Sequence, residues 1–459
     1  MQEKALYDSL TSPTVSTTSL LCLLSLFAGE GRQLSTMDIG SAYLNCDIDV
    51  AVIMMLDTPL AKIVCKEWPT MKASLDDKGR AYVRLKKALY GCVQSSKLWY
   101  ERLRIELERI GYIVSPMDEC VFNKMFGKLQ STLLVHVDDI LCSSEHREAH
   151  TELSEHLKKA FIDINYDTGK KLSFLGMTID MEEAGRAVVS MRGFVDEFVN
   201  DYPENKLVSS PSNNELFEIS DDDVPLAEQD RKLFHTIVAK LLYLGKRIRP
   251  DILLTVGFLC TRVTKATERD KIKLQRLINY VHATKDKKLT LKVEYPVRVF
   301  CFVDASYGVH VDGKSHTGAA VTLGAGCFLA KSSKQKIVTK SSTEAELVAI
   351  TDCLGDLIFV RNLLLHQGYD VPALFLFQDN KSTIALCEKG GAGHRTKHIK
   401  IRNFFVKERL DDGEVTIRWL KTELMIADVL TKPLQGVTFK AFADLLTGEM
   451  VLDCLISLV

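Results

Sequence analysis

Three aspartates in the first third of the sequence lie where acidic side chains are costly to bury. Asp138 and Asp139 lie within an apolar segment, Ser131–Ser143, that predicts a β-hairpin, and Asp38 lies near the end of a predicted strand over 33–39. Adjacent ionised carboxylates repel each other, so they need a cation when buried, and hard oxygen ligands suit Mg²⁺. Two such ions could activate a hydroxyl group and stabilise a leaving pyrophosphate. An isolated Asp-Asp pair is also an ordinary polar hairpin turn.

Four further acidic residues lie near the ends of separate predicted elements. Asp304 and Asp379 end strands, whereas Glu346 and Asp428 lie early in helices. Acids from separate elements can converge on one edge of a domain, and that cluster is unfavourable unless metal ions fill it. Metal ions there could activate water to cleave a phosphodiester. Each acid alone has an ordinary structural explanation. Glu346 could interact favourably with the helix dipole near the helix N-terminus, and Asp379 could cap the helix that follows it.

The composition limits the other classes of function. With 59 basic and 60 acidic residues the net charge is −1, so nucleic-acid binding would depend on local basic patches. Twelve cysteines occur without a C-x-x-C pair, which disfavours a zinc ribbon and a disulfide framework and favours a reducing compartment. The apolar stretch Leu20–Ala28 is too short to cross a bilayer. The length suits roughly two to four domains.

Apolar periodicity predicts the elements that must position these acids. In the first part of the chain we expect a core helix over 17–31, a strand over Val52–Leu56, a helix over 96–110, and strands over Phe174–Asp180 and Ala187–Met191. The polar stretch Pro203–Asp230 is the best candidate for a linker, and helices over 233–246, 251–263 and 267–284 follow it.

From Val297 the predicted pattern becomes α/β. The expected strands are Val297–Asp304, Gly318–Ala330, Gln335–Lys340, Leu374–Phe377 and 414–420. The expected helices are 343–366, one from Lys381, 398–410 and one from 423. Ser341 and Glu344 fit a capping box at the start of the long helix.

Four motifs resemble those of the reverse transcriptases of copia-type LTR retrotransposons, in the order and spacing of that family. They are Met37–Asn45, Ala88–Gln94 with Leu98–Tyr100, Val135–Leu141 and Phe174–Met177. The resemblance implies a palm of antiparallel strands in which Asp38 and Asp138 are the main metal ligands, with Asp139 beside them. It also implies that Tyr43 lies under the incoming sugar and excludes a 2′-hydroxyl, the alternative being plain core packing. Tyr90, Gly91 and Gln94 would lie near the incoming nucleotide.

A second set of motifs resembles the ribonuclease H segment of the same elements. These motifs are Ser341–Leu347, Gln378–Ser382, His394–Ile399 and Ala427–Leu434. The resemblance implies that Asp304, Glu346, Asp379 and Asp428 are catalytic and bind metal. Glu346 is chosen over Glu344 because the ligand in this family precedes an apolar residue on the helix. A histidine found just before the last acid in cellular relatives has no match here, where Arg418 and Trp419 lie instead.

Basic residues beside these motifs are candidates for contacts with nucleic acid. On the helical block, which resembles the thumb or connection of the family, they are Lys271, Lys273 and Arg276. Beside the ribonuclease H motifs they are His394, Arg395, Lys397 and His398. The two histidines could contact phosphates or act as general bases, and the basic cluster around them favours phosphate contact. Any one basic patch is also typical of a solvated face.

The expected fold class is α+β. We expect a polymerase palm with partial fingers over 1–200, a linker and helical thumb or connection over 201–292, an α/β ribonuclease H-like domain with a mixed sheet over 295–440, and a tail over 441–459. The resemblance implies an RNA-directed DNA polymerase and hybrid ribonuclease with two Mg²⁺ or Mn²⁺ ions in each active site. The implied partners are an RNA template, a DNA primer, RNA–DNA hybrids and deoxynucleoside triphosphates, with no membrane. The implied location is a cytoplasmic virus-like particle or the nucleus, without secretion.

The sequence departs from the family pattern at several positions. Ser12–Val15 falls where the family has completed a basic fingers hairpin, so we expect an amino-terminal truncation and weak DNA polymerisation. His136 replaces an aromatic residue, Ser95–Lys97 replaces a small-Pro-Arg segment, and Cys46 replaces a turn glycine. Three hypotheses stay open: an active element enzyme, an inactive or domesticated copy that only binds nucleic acid, and a protein that keeps ribonuclease H activity alone. Retention of every candidate carboxylate favours some activity over binding alone.

Overall fold

The computed structural model describes residues 12–390 and 400–451. Its helices are α1 (Thr17–Gly29), α2 (Thr58–Glu67), α3 (Ser95–Arg109), α4 (Arg147–Ala160), α5 (Arg192–Asp201), α6 (Glu228–Arg247), α7 (Leu253–Cys260), α8 (Glu268–Ala283), α9 (Ser342–His366), α10 (Lys381–Lys389), α11 (Lys400–Asp411) and α12 (Gly436–Thr447). Its strands are β1 (Gln33–Ile39), β2 (Ile53–Leu56), β3 (Ala81–Arg84), β4 (Ile113–Val114), β5 (Val121–Phe126), β6 (Leu129–His136), β7 (Asp139–Ser144), β8 (Ile164–Gly169), β9 (Lys171–Phe174), β10 (Met177–Asp180), β11 (Ala187–Ser190), β12 (Leu289–Val293), β13 (Val299–Ser306), β14 (His316–Thr322), β15 (Gly324–Ala325), β16 (Leu329–Lys334), β17 (Leu374–Gln378) and β18 (Val415–Trp419).

The chain divides into two compact units. Of the described residues, the first unit comprises 12–15, 35–115 and 119–167, and the second comprises 16–34, 116–118, 168–390 and 400–451. The domain boundaries predicted at 200, 292 and 440 come from sequence motifs, and these boundaries stay predictions.

The first unit is built on a six-stranded sheet with the order β4-β5-β6-β7-β1-β8. Strands β6 and β7 pair as an antiparallel hairpin, in which His136 faces Asp139. Helix α3 buries Trp99, Leu103 and Leu107, and these side chains form one stripe because they are four residues apart. A separate antiparallel ribbon joins β2 and β3. The predicted hairpin over Ser131–Ser143 is confirmed.

The second unit contains two five-stranded sheets and the helical block α6–α8. One sheet has the order β15-β12-β11-β10-β9, and the other has the order β16-β14-β13-β17-β18. The second of these is mixed, because β13 pairs antiparallel to β14 and parallel to β17, which is itself parallel to β18. Every residue of β13 and β14 is buried, as expected for central strands covered on both faces. Helix α9 contacts both strands, and the mixed sheet predicted for this region is confirmed.

Helix α9 begins where its capping residues predict. The side chain of Ser341 accepts a hydrogen bond from the backbone N–H of Glu344, and the Glu344 carboxylate accepts one from the backbone N–H of Lys340. These bonds satisfy N–H groups that have no partner within the helix.

Four predicted elements are wrong in detail. Gly318–Ala330 is not one strand but is divided among β14, β15 and β16, because the chain reverses between Thr322 and Leu329 so that β14 and β16 pair antiparallel. Phe174–Asp180 is not one strand but the hairpin β9–β10, because Leu175 and Gly176 adopt φ values of 51° and 73° that reverse the chain. Gln335–Lys340 lies outside the strands, because the pairing of β16 with β14 ends at the pair Lys334 and His316. The helix expected from 423 is replaced by two 3₁₀ turns, Thr422–Leu424 and Ile426–Leu430, because Pro433 blocks continuation and α12 begins only at Gly436.

The observed mixture of helices and sheets agrees with the α+β class predicted from the sequence. Among the residues described, no helix has the length and apolar character that a membrane span requires.

Candidate active sites

The first group of carboxylates lies on neighbouring strands of the first unit. Asp38 is the penultimate residue of β1, Asp139 begins β7, and Asp138 lies in the turn between β6 and β7. The backbone N–H of Ile39 donates to the carbonyl of Asp138 over 3.1 Å, so the end of β1 is tied to that turn. The sheet therefore brings together the three acids predicted for the first site.

Val137, just before the two aspartates, has a backbone conformation that is rare for its residue type. Its φ is 59°, in the left-handed region that a β-branched side chain disfavours. The indole N–H of Trp99, which is fully buried on α3, donates to the Val137 carbonyl over 2.7 Å. Trp99 thus holds the strained turn that presents Asp138.

The electrostatics of the first site follow from the close approach of like charges. Burial, followed by the charges of Asp138 and Asp38, raises the pKa of Asp139 to about 6. The amide of Asn165 donates to Asp38 over 3.3 Å. A cation bound between these oxygens would relieve the repulsion that raises the pKa of Asp139.

Two tyrosines predicted to lie near the nucleotide border this site. The rings of Tyr43 and Tyr90 are 4.3 Å apart between centroids, and the Tyr90 hydroxyl donates to Asp138 Oδ2 over 3.4 Å. Gly91 adopts φ 94° beside open space. The Gln94 side chain is buried and donates to Asp49 over 3.4 Å. The structure therefore places Tyr43 and Tyr90 at the carboxylates, whereas Gln94 contacts another acid.

The second group of carboxylates converges more closely. Oxygen atoms of Asp304, Asp379 and Asp428 all lie within 4.8 Å of one another, the only such trio of potential ligands in the described part of the chain. Phe302 on β13 pairs with Phe377 on β17, so the acids two residues further along each strand lie at the same level. Asp428 comes from the 3₁₀ turn Ile426–Leu430.

Glu346 lies beside this trio, held by its own polar contact. The side-chain amide of Gln378 donates to Glu346 Oε2 over 3.1 Å and to the Val303 carbonyl over 3.3 Å. Burial and the charge of Asp304 raise the pKa of Glu346 well above its usual range. Burial and the same aspartate raise the pKa of Asp428 to about 7. Buried carboxylates whose charged forms are disfavoured in this way are suited to holding a cation.

Further residues contact these carboxylates without having been predicted as site residues from the sequence. The Thr431 hydroxyl donates to Asp304 Oδ2, and the Lys432 ammonium contacts Asp428 and Asp304. Thr422 donates to Asp379 over 2.9 Å, and the Trp419 indole donates to the Asp379 carbonyl over 3.0 Å. The spacing of Asp428 and Lys432, four residues apart, was a usable signal for an ion pair.

The predicted nucleic-acid contacts on α8 make intramolecular contacts. Lys271 forms an ion pair with Asp230 over 3.7 Å. Lys273 is largely buried and donates to the carbonyl of Glu218, and Arg276 donates to the Ser210 hydroxyl over 2.9 Å. Lys273 and Arg276 therefore fasten the 203–230 segment to α8. The other predicted contacts, His394, Arg395, Lys397 and His398, lie outside the described residues.

Comparison with known proteins finds a family that matches part of the chain and a set of similar polyproteins. Residues 2–207 match the family described as reverse transcriptase (RNA-dependent DNA polymerase). The chain is 26% identical over 449 residues to the retrovirus-related Pol polyprotein from transposon TNT 1-94 of Nicotiana tabacum, covering 96% of this chain and 32% of the relative. It is 26% identical over 477 residues to the transposon Ty1-NL2 Gag-Pol polyprotein of Saccharomyces cerevisiae, covering 97% of this chain and 25% of the relative. The chain thus spans a third or less of the length of these relatives.

Two solved structures are also similar to parts of the chain. The native prototype foamy virus protease–reverse transcriptase matches with 13% identity and a TM-score of 0.24, covering 94% of this chain and 48% of that one. The N-terminal RNase H domain of a Mycobacterium tuberculosis protein matches with 14% identity and a TM-score of 0.21, covering 32% of this chain and 97% of that one. Both TM-scores are low, so the fold class rests on the elements described above.

Proposed function

We propose that the chain is an RNA-directed DNA polymerase that also cleaves RNA in RNA–DNA hybrids. The support is the match of residues 2–207 to the reverse transcriptase family and the similarity of nearly the whole chain to the Pol polyproteins of copia-type transposons. The proposed mechanism is two-metal-ion phosphoryl transfer in both reactions, with Mg²⁺ or Mn²⁺. The proposed partners are an RNA template, a DNA primer, deoxynucleoside triphosphates and RNA–DNA hybrids.

The observation that carries the hybrid-cleaving activity is the convergence of Asp304, Asp379 and Asp428 beside Glu346. The donor set fits Mg²⁺ or Mn²⁺, because it consists of hard carboxylate oxygens, and burial together with the charge of Asp304 raises the pKa values of Glu346 and Asp428. When bound, the ions would supply an activated water and stabilise the leaving oxygen.

The protein's own residues have separable roles in this proposed site. Asp304 and Asp428 are the buried acids, and Asp379 is the more exposed one. Thr431 and Thr422 orient two of these carboxylates through hydroxyl donors, and Gln378 orients Glu346. Such donors hold ligands in fixed orientations, as partners of metal-bound carboxylates do in general.

The polymerase activity is supported by the arrangement of Asp38, Asp138 and Asp139 at adjoining strand ends. Asp38 and Asp138 would hold the ions, with Asp139 beside them. Tyr43 would lie under the sugar of the incoming nucleotide, and Tyr90 would orient Asp138 through its hydroxyl. In the described residues only the second site brings three ligand atoms within 4.8 Å of one another, which favours ribonuclease H activity alone as the second candidate function.

Two variants assayed in two reactions test the proposal. Asp379→Asn should lower Mg²⁺-dependent cleavage of a labelled RNA–DNA hybrid at least about a hundredfold, because an amide is a poor substitute for a metal-bound carboxylate. The same variant should leave primer extension on an RNA template unchanged. Asp138→Asn should lower primer extension and leave hybrid cleavage unchanged. Asp370→Asn, at an exposed position, is the matched control and should leave both reactions unchanged.

Each result separates one hypothesis from the others. Hybrid cleavage that depends on Asp379, without any primer extension, would leave ribonuclease H as the sole activity. Hybrid binding without either reaction would identify a nucleic-acid-binding copy. Undiminished cleavage by Asp379→Asn would reject the assignment of the second site.

A further inference from the structure

Lys432 places a positive charge inside the second carboxylate site. Its Nζ lies 2.8 Å from Asp428 Oδ1 and 3.4 Å from Asp304 Oδ1. The side chains of Asp304 and Asp428 are 2% and 8% exposed, so water screens their charges poorly. This ammonium is therefore a direct counter-ion for the two buried acids of the trio.

The surrounding contacts direct Asp304 towards this lysine. The Thr431 hydroxyl occupies Asp304 Oδ2, which leaves Oδ1 as the oxygen nearest to Lys432. On the Asp428 side, Oδ1 accepts from the same ammonium. The third acid, Asp379, accepts from Thr422. The lysine thus covers one side of the trio.

The lysine side chain can leave this position without a change in the backbone. This side chain is 36% exposed, and its four-carbon stem is flexible, so the stem can turn the ammonium towards solvent. The ammonium 2.8 Å from Asp428 Oδ1 occupies one lone pair of that oxygen, and its charge opposes the approach of a second cation to the same carboxylate. Two positive charges in one buried site also repel each other strongly.

We propose that Lys432 is a built-in counter-ion that competes with divalent cations for the Asp304–Asp428 side of the second site. The inference rests on the proposed function, since it takes the trio to be a metal site. The lysine stabilises the carboxylates when the cation concentration is low. A divalent cation must displace the ammonium in order to bind, and the free energy of that displacement lowers the apparent affinity of the site for the cation. Metal affinity of this site is then set by a residue that is not itself a ligand.

Binding of Mn²⁺ to the whole chain, followed by electron paramagnetic resonance, tests this competition directly. Lys432→Met removes the charge and should tighten binding at the second site about tenfold or more. The same variant should melt at a lower temperature in a chelator and show a larger rise in melting temperature with Mn²⁺ than the unmodified chain. Asp138→Asn as a common background confines the measurement to the second site.

Two further variants make the test specific. Lys432→Gln keeps a hydrogen-bond donor without charge, so it should tighten binding like Lys432→Met and serves if the methionine variant does not fold. Lys440→Met is the matched control, because Lys440 pairs with Asp444 four residues away over 2.6 Å, as Lys432 does with Asp428. Its Mn²⁺ affinity should equal that of the unmodified chain.

The outcomes distinguish this inference from the proposed function. Unchanged or weaker Mn²⁺ binding by both Lys432 variants would overturn the competition while leaving the metal site intact. Tighter binding without hybrid cleavage by any variant would support the competition and reject the ribonuclease activity. Absence of Mn²⁺ binding by the unmodified chain and by both variants would overturn both.

Discussion

Gly318 pairs with Asp304 across the antiparallel ladder of β13 and β14, and its missing side chain makes room for the turn that carries Asp428. A Cβ atom at 318 would lie 2.6 Å from Thr431 Cγ2 and 3.0 Å from the carbonyl oxygen of Ala427. These distances are shorter than ordinary contacts, so the turn can approach the strand only because residue 318 is glycine. The close approach brings Asp428 and Thr431 to Asp304.

We predict that Gly318→Ala pushes this turn away from β14 and separates the acids. Overpacking of this kind costs about 1–3 kcal/mol, so the melting temperature should fall, and hybrid cleavage should fall about tenfold or more. Gly355→Ala is the matched control, because Gly355 lies within α9 beside open space. It should raise stability by up to about 1 kcal/mol. Full hybrid cleavage by Gly318→Ala would contradict the packing argument.

A second prediction concerns two tryptophans that act on different sites. Trp99 donates to the Val137 carbonyl before Asp138, and Trp419 donates to the Asp379 carbonyl. Trp99→Phe should lower primer extension and leave hybrid cleavage unchanged, whereas Trp419→Phe should do the opposite. Trp99→Phe should also cost about 1–3 kcal/mol of stability, because it leaves a carbonyl without its donor. The two variants are each other's controls, and equal effects on both reactions would contradict separate roles.

The elements that carry the carboxylates could be predicted from the sequence because their patterns are local. The β6–β7 hairpin follows from two apolar arms around Asp138 and Asp139, and the start of α9 follows from Ser341 and Glu344. The approximate positions of Asp304 and Asp379 at strand ends follow from the apolar runs before them. The family motifs then indicated which acids share a site.

The rest of the second site depends on tertiary register, which no local pattern contains. Gly318 is significant only because β14 places it opposite Asp304, and Gln378 only because its amide reaches Glu346. The burial of Lys273 was also not predictable, since a run of basic residues on α8 is typical of a solvated face. Apolar periodicity alone predicts a helix from 423, whereas Pro433 prevents one continuous helix there.

A third prediction tests the position of Tyr43 beside Tyr90. If the Tyr43 ring lies under the sugar of the incoming nucleotide, Tyr43→Ala should increase ribonucleotide incorporation about tenfold or more relative to deoxynucleotide incorporation. The physical reason is removal of the steric clash with a 2′-hydroxyl. Primer extension with each nucleotide class measures the ratio. Tyr82→Ala, at an exposed position on β3, is the control, and an unchanged ratio for Tyr43→Ala would assign Tyr43 to packing alone.

The last prediction concerns a chain of hydrogen bonds that ends on the turn carrying Asp428. Ser332 donates to the Leu430 carbonyl over 2.7 Å, so its hydroxyl oxygen must accept from His316 Nε2, which lies 2.8 Å away. His316 Nδ1 then accepts from His310 Nε2 over 3.0 Å. The chain of donors requires a neutral His316, because a protonated Nδ1 could not accept.

Burial lowers the pKa of His310 to about 4 and that of His316 to about 3. Between pH 6.5 and about 4 the unfolded chain therefore binds more protons at these histidines than the folded chain does. Their contribution to the free energy of unfolding is complete above pH 6.5 and is lost as the pH falls through this range. Each pH unit in this range can lower the free energy of unfolding by up to about 1.4 kcal/mol per histidine. Thermal melts of His316→Gln should show a shallower fall in melting temperature over the same range, whereas His235→Gln, at an exposed position on α6, should follow the unmodified chain. An identical pH dependence for His316→Gln and the unmodified chain would show that His316 is not held neutral by the fold.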